Sequence, residues 1–137
     1  MAARLFVDSS AWLAFVSARD TRHDDADRLI RAALQQRHRL LTSNLVLAEV
    51  QRLLLFRAGP RPAAAALAKV SASPSVELLF PDLALHREAQ GWLARCADQA
   101  FSYTDASSFA LMKAHRCDAA LTFDRDFEVA GFHLWQG

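Results

Sequence analysis

Four carboxylates stand where a fold could gather them: Asp8, Glu49, Asp105 and Asp124. Asp8 halts the apolar run Leu5-Phe6-Val7, and Asp124 halts Ala119-Ala120-Leu121-Thr122-Phe123. Asp105 heads an apolar segment, and Glu49 interrupts Leu45-Val46-Leu47-Ala48 just before Val50. Carboxylates held close together repel and raise one another's pKa unless a divalent cation sits among them. Oxygen-only ligation suits Mg²⁺ or Mn²⁺, and the chemistry it favours is metal-assisted hydrolysis of a phosphate ester. Other chemistries lack their residues. The histidines show no HExxH or similar zinc spacing, no serine or cysteine stands in a GxSxG signature, and no Walker-type phosphate loop is present.

Each acid also has a plainer role. Asp8, followed by Ser9-Ser10, can simply cap the helix that starts there. Glu49 can pair with Arg52, one turn on, and Asp105 can stabilise the positive end of its own helix. Their placement along the chain decides whether they meet.

That placement follows from alternating strand-like and helix-like segments. Arg4–Val7 reads as a strand and Ala11–Val16 as an apolar helix. His23–Gln36 is amphipathic, His38–Thr42 is a second strand, and Thr42-Ser43-Asn44 offers N-caps for a helix over Leu45–Phe56. Gly59-Pro60-Arg61-Pro62 ends that helix, and Pro62 opens the next, Ala63–Ser71. Val76–Phe80 is a third strand, and Pro81-Asp82 starts a helix to about Ala97 despite Gly91. Thr104-Asp105 opens a helix to His115, and Ala119–Phe123 is a fourth strand. A helical turn at 125–130 and a last strand, Phe132–Trp135, complete the pattern.

Helices between strands imply parallel pairing with right-handed crossovers. The expected fold is therefore a three-layer α/β/α domain with a mainly parallel sheet, residues 1–137 forming one domain. Ligands bind at the carboxyl ends of strands in such sheets. Asp8 and Asp124 end strands and Asp105 starts a helix on the same side, so these acids share one edge. Glu49 lies beside an apolar stripe, where a carboxylate is costly unless paired or bound to a cation.

With 53% hydrophobic residues and four glycines the chain is neither disordered nor a disulfide scaffold. Cys96 and Cys117 form no CxxC and are expected to be reduced, as in a cytoplasmic protein. The first apolar run stops at Asp8, so no signal peptide is expected, and no apolar stretch reaches the ~18 residues of a membrane span. The net charge of +1 neither demands nor excludes nucleic acid, though fourteen of the sixteen cations are arginine, suited to phosphate.

Leu5-Phe6-Val7-Asp8-Ser9-Ser10, Glu49 after Thr42-Ser43-Asn44, Thr104-Asp105-Ala106 and Leu121-Thr122-Phe123-Asp124-Arg125-Asp126-Phe127 resemble the four acidic motifs of PIN-domain nucleases. Length and motif order are closest to the single-domain VapC-type toxins of bacterial toxin–antitoxin pairs. The resemblance implies strand order 3-2-1-4-5 and a Mg²⁺- or Mn²⁺-dependent endoribonuclease leaving 5′-phosphate and 3′-hydroxyl ends. Asp8, Glu49, Asp105 and Asp124 would be the metal-holding catalytic acids. Ser9 or Ser10 and Thr122 would orient them. If the last helical turn starts at Arg125, Asp126 is rotated ~200° from Asp124, which makes Asp124 the ligand and Asp126 a helper.

The implied partners are RNA, a cognate antitoxin and a second copy of the chain. Trp12, Trp92, Trp135 and nine phenylalanines exceed what one small core needs. Arg19, Arg22, Arg52, Arg57 and Arg61 are available for RNA phosphates, and the sequence does not choose among them. A haloacid-dehalogenase-like phosphatase would want a second Asp where this chain has Ser10. A receiver domain would want paired acids after the first strand. The remaining alternative is a PIN fold that binds RNA or protein without cutting.

Overall fold

The computed structural model describes residues 2–137. Its elements run β1 (Arg4–Val7), α1 (Ser9–Val16), α2 (His23–Gln35), β2 (Arg39–Ser43), α3 (Asn44–Ala58), α4 (Pro60–Ala72), β3 (Val76–Leu79), α5 (Leu83–Arg95), α6 (Tyr103–Ala114), β4 (Ala119–Leu121) and α7 (Asp126–Val129). Four strands pair in parallel in the order β3-β2-β1-β4. Crossovers from β1 to β2 to β3 step one way and the crossover from β3 to β4 steps back. With right-handed connections, α1–α4 therefore cover one face and α5–α6 the other. Among the described residues, no helix is long and apolar enough to cross a membrane.

The expected fifth strand shrinks to a single bridge. Leu134 pairs with Ala120 in parallel, through Ala120 N–H to His133 O and Trp135 N–H to Ala120 O, each 2.8 Å. The cause lies in β4, which has three residues instead of the expected five. Beyond Leu121 the backbone donors turn to side chains. Phe123 N–H donates to Ser10 Oγ at 3.0 Å and Asp124 N–H to Thr122 Oγ1 at 2.9 Å. Short polar side chains compete with a ladder in this way, and the chain leaves the sheet where the acids begin.

Helix ends follow their caps. Ser43 accepts from Val46 N–H and starts α3, and Asp82 accepts from Leu85 N–H and starts α5. Gly59, at φ +92°, both ends α3 and precedes α4, which opens at Pro60 rather than Pro62. A left-handed φ there suits glycine. Gly91 leaves α5 unbroken, and an added Cβ would meet the Arg95 guanidinium at 2.9 Å.

The sheet interior is apolar: Leu5, Phe6, Val7, Leu40, Leu41, Ala120 and Leu121 are all buried. Trp12 Nε1 donates to Thr42 Oγ1 (3.1 Å), and that hydroxyl donates to Val7 O (2.9 Å), tying α1, β2 and β1 together. On the other face Phe109 collects the rings of Trp92, Phe101, Phe127 and Phe132. Trp12 and Trp92 are thus core residues, and the exposed aromatics are Phe56 (79%), Phe80 (67%) and, less so, Tyr103 (39%). Both cysteines are free thiols, and burial raises that of Cys117 to about 11.

Candidate active site

Asp8 occupies the N-cap position of α1, yet its side chain caps nothing. It is 3% exposed, and its Oδ2 instead accepts from Thr122 Oγ1 at 3.1 Å and lies 3.4 Å from Ser10 Oγ. Ser10 Oγ and Thr122 Oγ1 are 3.1 Å apart, so one hydroxyl from the first turn of α1 and one just past β4 hold one carboxylate oxygen. Ser9 Oγ donates to Glu49 Oε1 and lies 3.5 Å from Asp8 Oδ1. Through Ser9, Glu49 on α3 reaches the end of β1. It makes no ion pair with Arg52, whose guanidinium lies over Phe56 instead.

Asp105 serves two purposes. Its carboxylate accepts from Ser102 N–H while Ser102 Oγ accepts from Asp105 N–H, each at 3.0 Å, forming a capping box. A helix opened at Thr104, as expected from the sequence, leaves Ser102 outside it; the spacing Ser102-x-x-Asp105 is the missed signal that marks the cap. The same carboxylate also presents an oxygen within 4.8 Å of oxygens of Asp124 and Asp126.

Asp126 thus departs from the rotation expected for it. Helix α7 begins at Asp126 itself, and Asp126 N–H donates to Asp124 Oδ1 at 2.9 Å. That Asx-turn folds the chain back and sets the two carboxylates side by side.

Electrostatics register the crowding. Burial, then the charges of Asp105 and Glu49, push the Asp8 carboxyl up to about 6 against the Ser9 and Thr122 hydrogen bonds. Asp105 is raised by burial and by Asp124 and Asp126, and Asp126 by loss of solvent and by Asp124. None of the five acids makes an ion pair among the described residues. Five oxygen-bearing anions without a counter-cation, three with oxygens within 4.8 Å, fit a divalent metal.

A model of the PIN domain matches residues 5–133. The chain belongs to the PIN-domain family. This PIN domain is 40% identical over 129 residues to the 23S rRNA-specific endonuclease VapC20 of Mycobacterium tuberculosis, covering 93% of this chain and 95% of the relative. The crystal structure of VapC20, described as a sarcin-ricin loop cleaving toxin, superposes with a TM-score of 0.89 at 37% identity, covering 97% and 99% of the two chains. VapBC2 from Rickettsia felis, solved on a promoter DNA fragment, gives a TM-score of 0.71 at 12% identity over 96% of each chain, a likeness of fold.

Within this PIN domain the capping box allows a clean test. Asp105→Asn keeps an acceptor for Ser102 N–H and removes a charge from the cluster. The metal-free variant should melt at or slightly above the wild-type temperature while Mn²⁺ affinity, read by calorimetry, falls about tenfold or more. A clear drop in melting temperature with metal binding retained would make Asp105 a structural residue only.

Proposed function

We propose that this protein is a divalent-metal-dependent endoribonuclease, the toxin of a toxin–antitoxin pair, acting in the cytoplasm on a loop of large-subunit ribosomal RNA. One observation carries the reading: uncompensated carboxylates gathered at one sheet edge, in a chain 40% identical to a 23S rRNA-specific endonuclease. Asp8, Glu49, Asp105 and Asp124 are the catalytic acids. Asp126 joins them, because its carboxylate meets those of Asp105 and Asp124. These residues would hold Mg²⁺ or Mn²⁺, which, when bound, acidifies water and stabilises charge on a phosphate ester.

The chain's own contribution is orientation. Thr122 and Ser10 pin Asp8 Oδ2, Ser9 aims Glu49, and the capping box fixes Asp105 at the head of α6. These hydrogen bonds set the acids before substrate arrives, so little reorganisation is left for the reaction. Products carry 5′-phosphate and 3′-hydroxyl ends. Exposed Phe56, Phe80 and Leu83 supply apolar surface for a second copy of the chain and for an antitoxin.

The test pairs Asp124→Asn with Asp126→Asn, measuring Mn²⁺ affinity and cleavage of a labelled RNA. The wild type should cut only with added metal, and both variants should bind Mn²⁺ about 10–100-fold more weakly. Cleavage should fall further for Asp124→Asn. Cutting that persists in excess chelator would sink the metal-dependent reading, and a larger loss from Asp126→Asn would exchange the roles of the two acids.

A further inference from the structure

A cavity of about 340 Å³ adjoins the acidic edge, bounded by the start of α2, the β4–α7 turn and the segment Leu134–Gln136. Three guanidinium groups line it, from Arg22, Arg28 and Arg125, together with Thr122, Phe123 and Trp135. Two of these cations have anionic neighbours: Arg28 lies 3.9 Å from Asp25, and Arg125 lies 2.9 Å from Glu128. Arg22 has no ion pair among the described residues. Its guanidinium sits 4.9 Å from the centroid of the Phe123 ring. Arg22 N–H also donates to Asp20 Oδ1 at 2.8 Å, which fixes the backbone that carries it.

Phe123 ties this cation to the acids. Its backbone N–H is held by Ser10 Oγ, the hydroxyl that faces Asp8, and it lies between Thr122 and Asp124. A site of clustered carboxylates repels a polyanion, and a cation on its rim offsets that repulsion. An arginine plane stacked on a ring keeps its donors directed, so less freedom is lost when it binds phosphate.

We propose that this cavity is the subsite for a nucleotide flanking the scissile bond, with Arg22, braced on Phe123, gripping its phosphate. The inference rests on the nuclease reading above and adds which surface receives the substrate. Of the arginines available in the sequence, Arg57 is paired with Asp20 and Arg52 lies over Phe56, whereas Arg22 is set against Phe123, the residue before Asp124.

The test measures binding of a fluorescein-labelled RNA hairpin by anisotropy across a salt series, with Asp124→Asn in every protein to prevent cutting. Adding Arg22→Ala should weaken binding about tenfold. It should also flatten the slope of log K against log salt by about 0.7, one lost phosphate contact. Arg22→Lys should keep the slope and recover part of the affinity. Mn²⁺ affinity of the otherwise native protein and the melting temperature should stay nearly unchanged, because Arg22 is exposed and makes no ion pair with an acid of the site among the described residues. Unchanged affinity, or weaker binding with an unchanged slope, overturns the subsite while wild-type cleavage leaves the nuclease reading intact. Wild-type protein that neither binds nor cuts the hairpin overturns both.

Discussion

Asp8→Asn is expected to abolish RNA cleavage and, at neutral pH, to make the metal-free protein more stable. The wild-type carboxyl is buried, with its pKa raised from 3.8 to about 6. A carboxyl raised in the folded state favours folding while it is protonated. That contribution is complete below about pH 4 and is lost as pH rises through about 6. A rise from 3.8 to about 6 corresponds to about 3 kcal/mol of destabilisation at pH 7.5.

Asparagine removes the charge and keeps an acceptor for Thr122 Oγ1, but its amide needs a partner beside Ser9 and Glu49. The net gain should be about 1–2 kcal/mol, or about 3–8 °C in melting temperature. Thermal melts in chelator at pH 4 and pH 7.5 check it. The gain should appear at pH 7.5 and all but disappear at pH 4, where the folded carboxyl is protonated and the unfolded one is close to its own midpoint of 3.8. A loss of stability at pH 7.5, or an equal gain at both, would show that the Asp8 charge is not what strains the apo site. Adding Mn²⁺ should reverse the ranking, since the wild type alone keeps the full acid set.

Phe109→Ala is expected to destabilise the protein by about 3–5 kcal/mol and to weaken metal binding without touching an acid. The Phe109 ring is fully buried, with centroids 5.2 Å from Trp92, 5.1 Å from Phe101 and Phe127, and 5.5 Å from Phe132. Asp105 stands one helical turn before Phe109 on α6, and Asp126 immediately precedes Phe127 on α7. The Phe109–Phe127 contact therefore holds two helices at the separation that brings their carboxylates together. Truncation leaves a cavity where edge-to-face contacts with Phe101 and Phe127 and closely packed rings of Trp92 and Phe132 were, each aromatic pair worth about 0.5–1.5 kcal/mol beyond burial.

In a domain stabilised by about 5–15 kcal/mol that loss approaches unfolding, so Phe109→Leu is the companion variant. Urea titration should give an intermediate loss for leucine with an unchanged slope, and Mn²⁺ affinity should fall in the same order. A loss below about 1 kcal/mol for alanine would show that the cluster is not what positions α7.

Much of this architecture is written locally. The parallel sheet, the helices between its strands and the Ser43 and Asp82 caps follow from apolar periodicity and N-cap chemistry, which act over a few residues. So does the placing of Asp8, Asp105 and Asp124 at one edge, because strand direction decides where a strand-ending residue emerges. The tertiary structure decided the rest. Glu49 had a nearby arginine by sequence, yet it meets Ser9, forty residues away. Asp8 looked like a cap and became a buried acid, because β4 brought Thr122 to it across 114 residues. Thr122 and Phe123, expected in β4, lie beyond it because Ser10 Oγ took the Phe123 N–H and Thr122 Oγ1 that of Asp124, and Asp126 turned inward because Asp124 took its N–H. A short polar side chain has several backbone groups within reach, and only the assembled fold determines which one it binds.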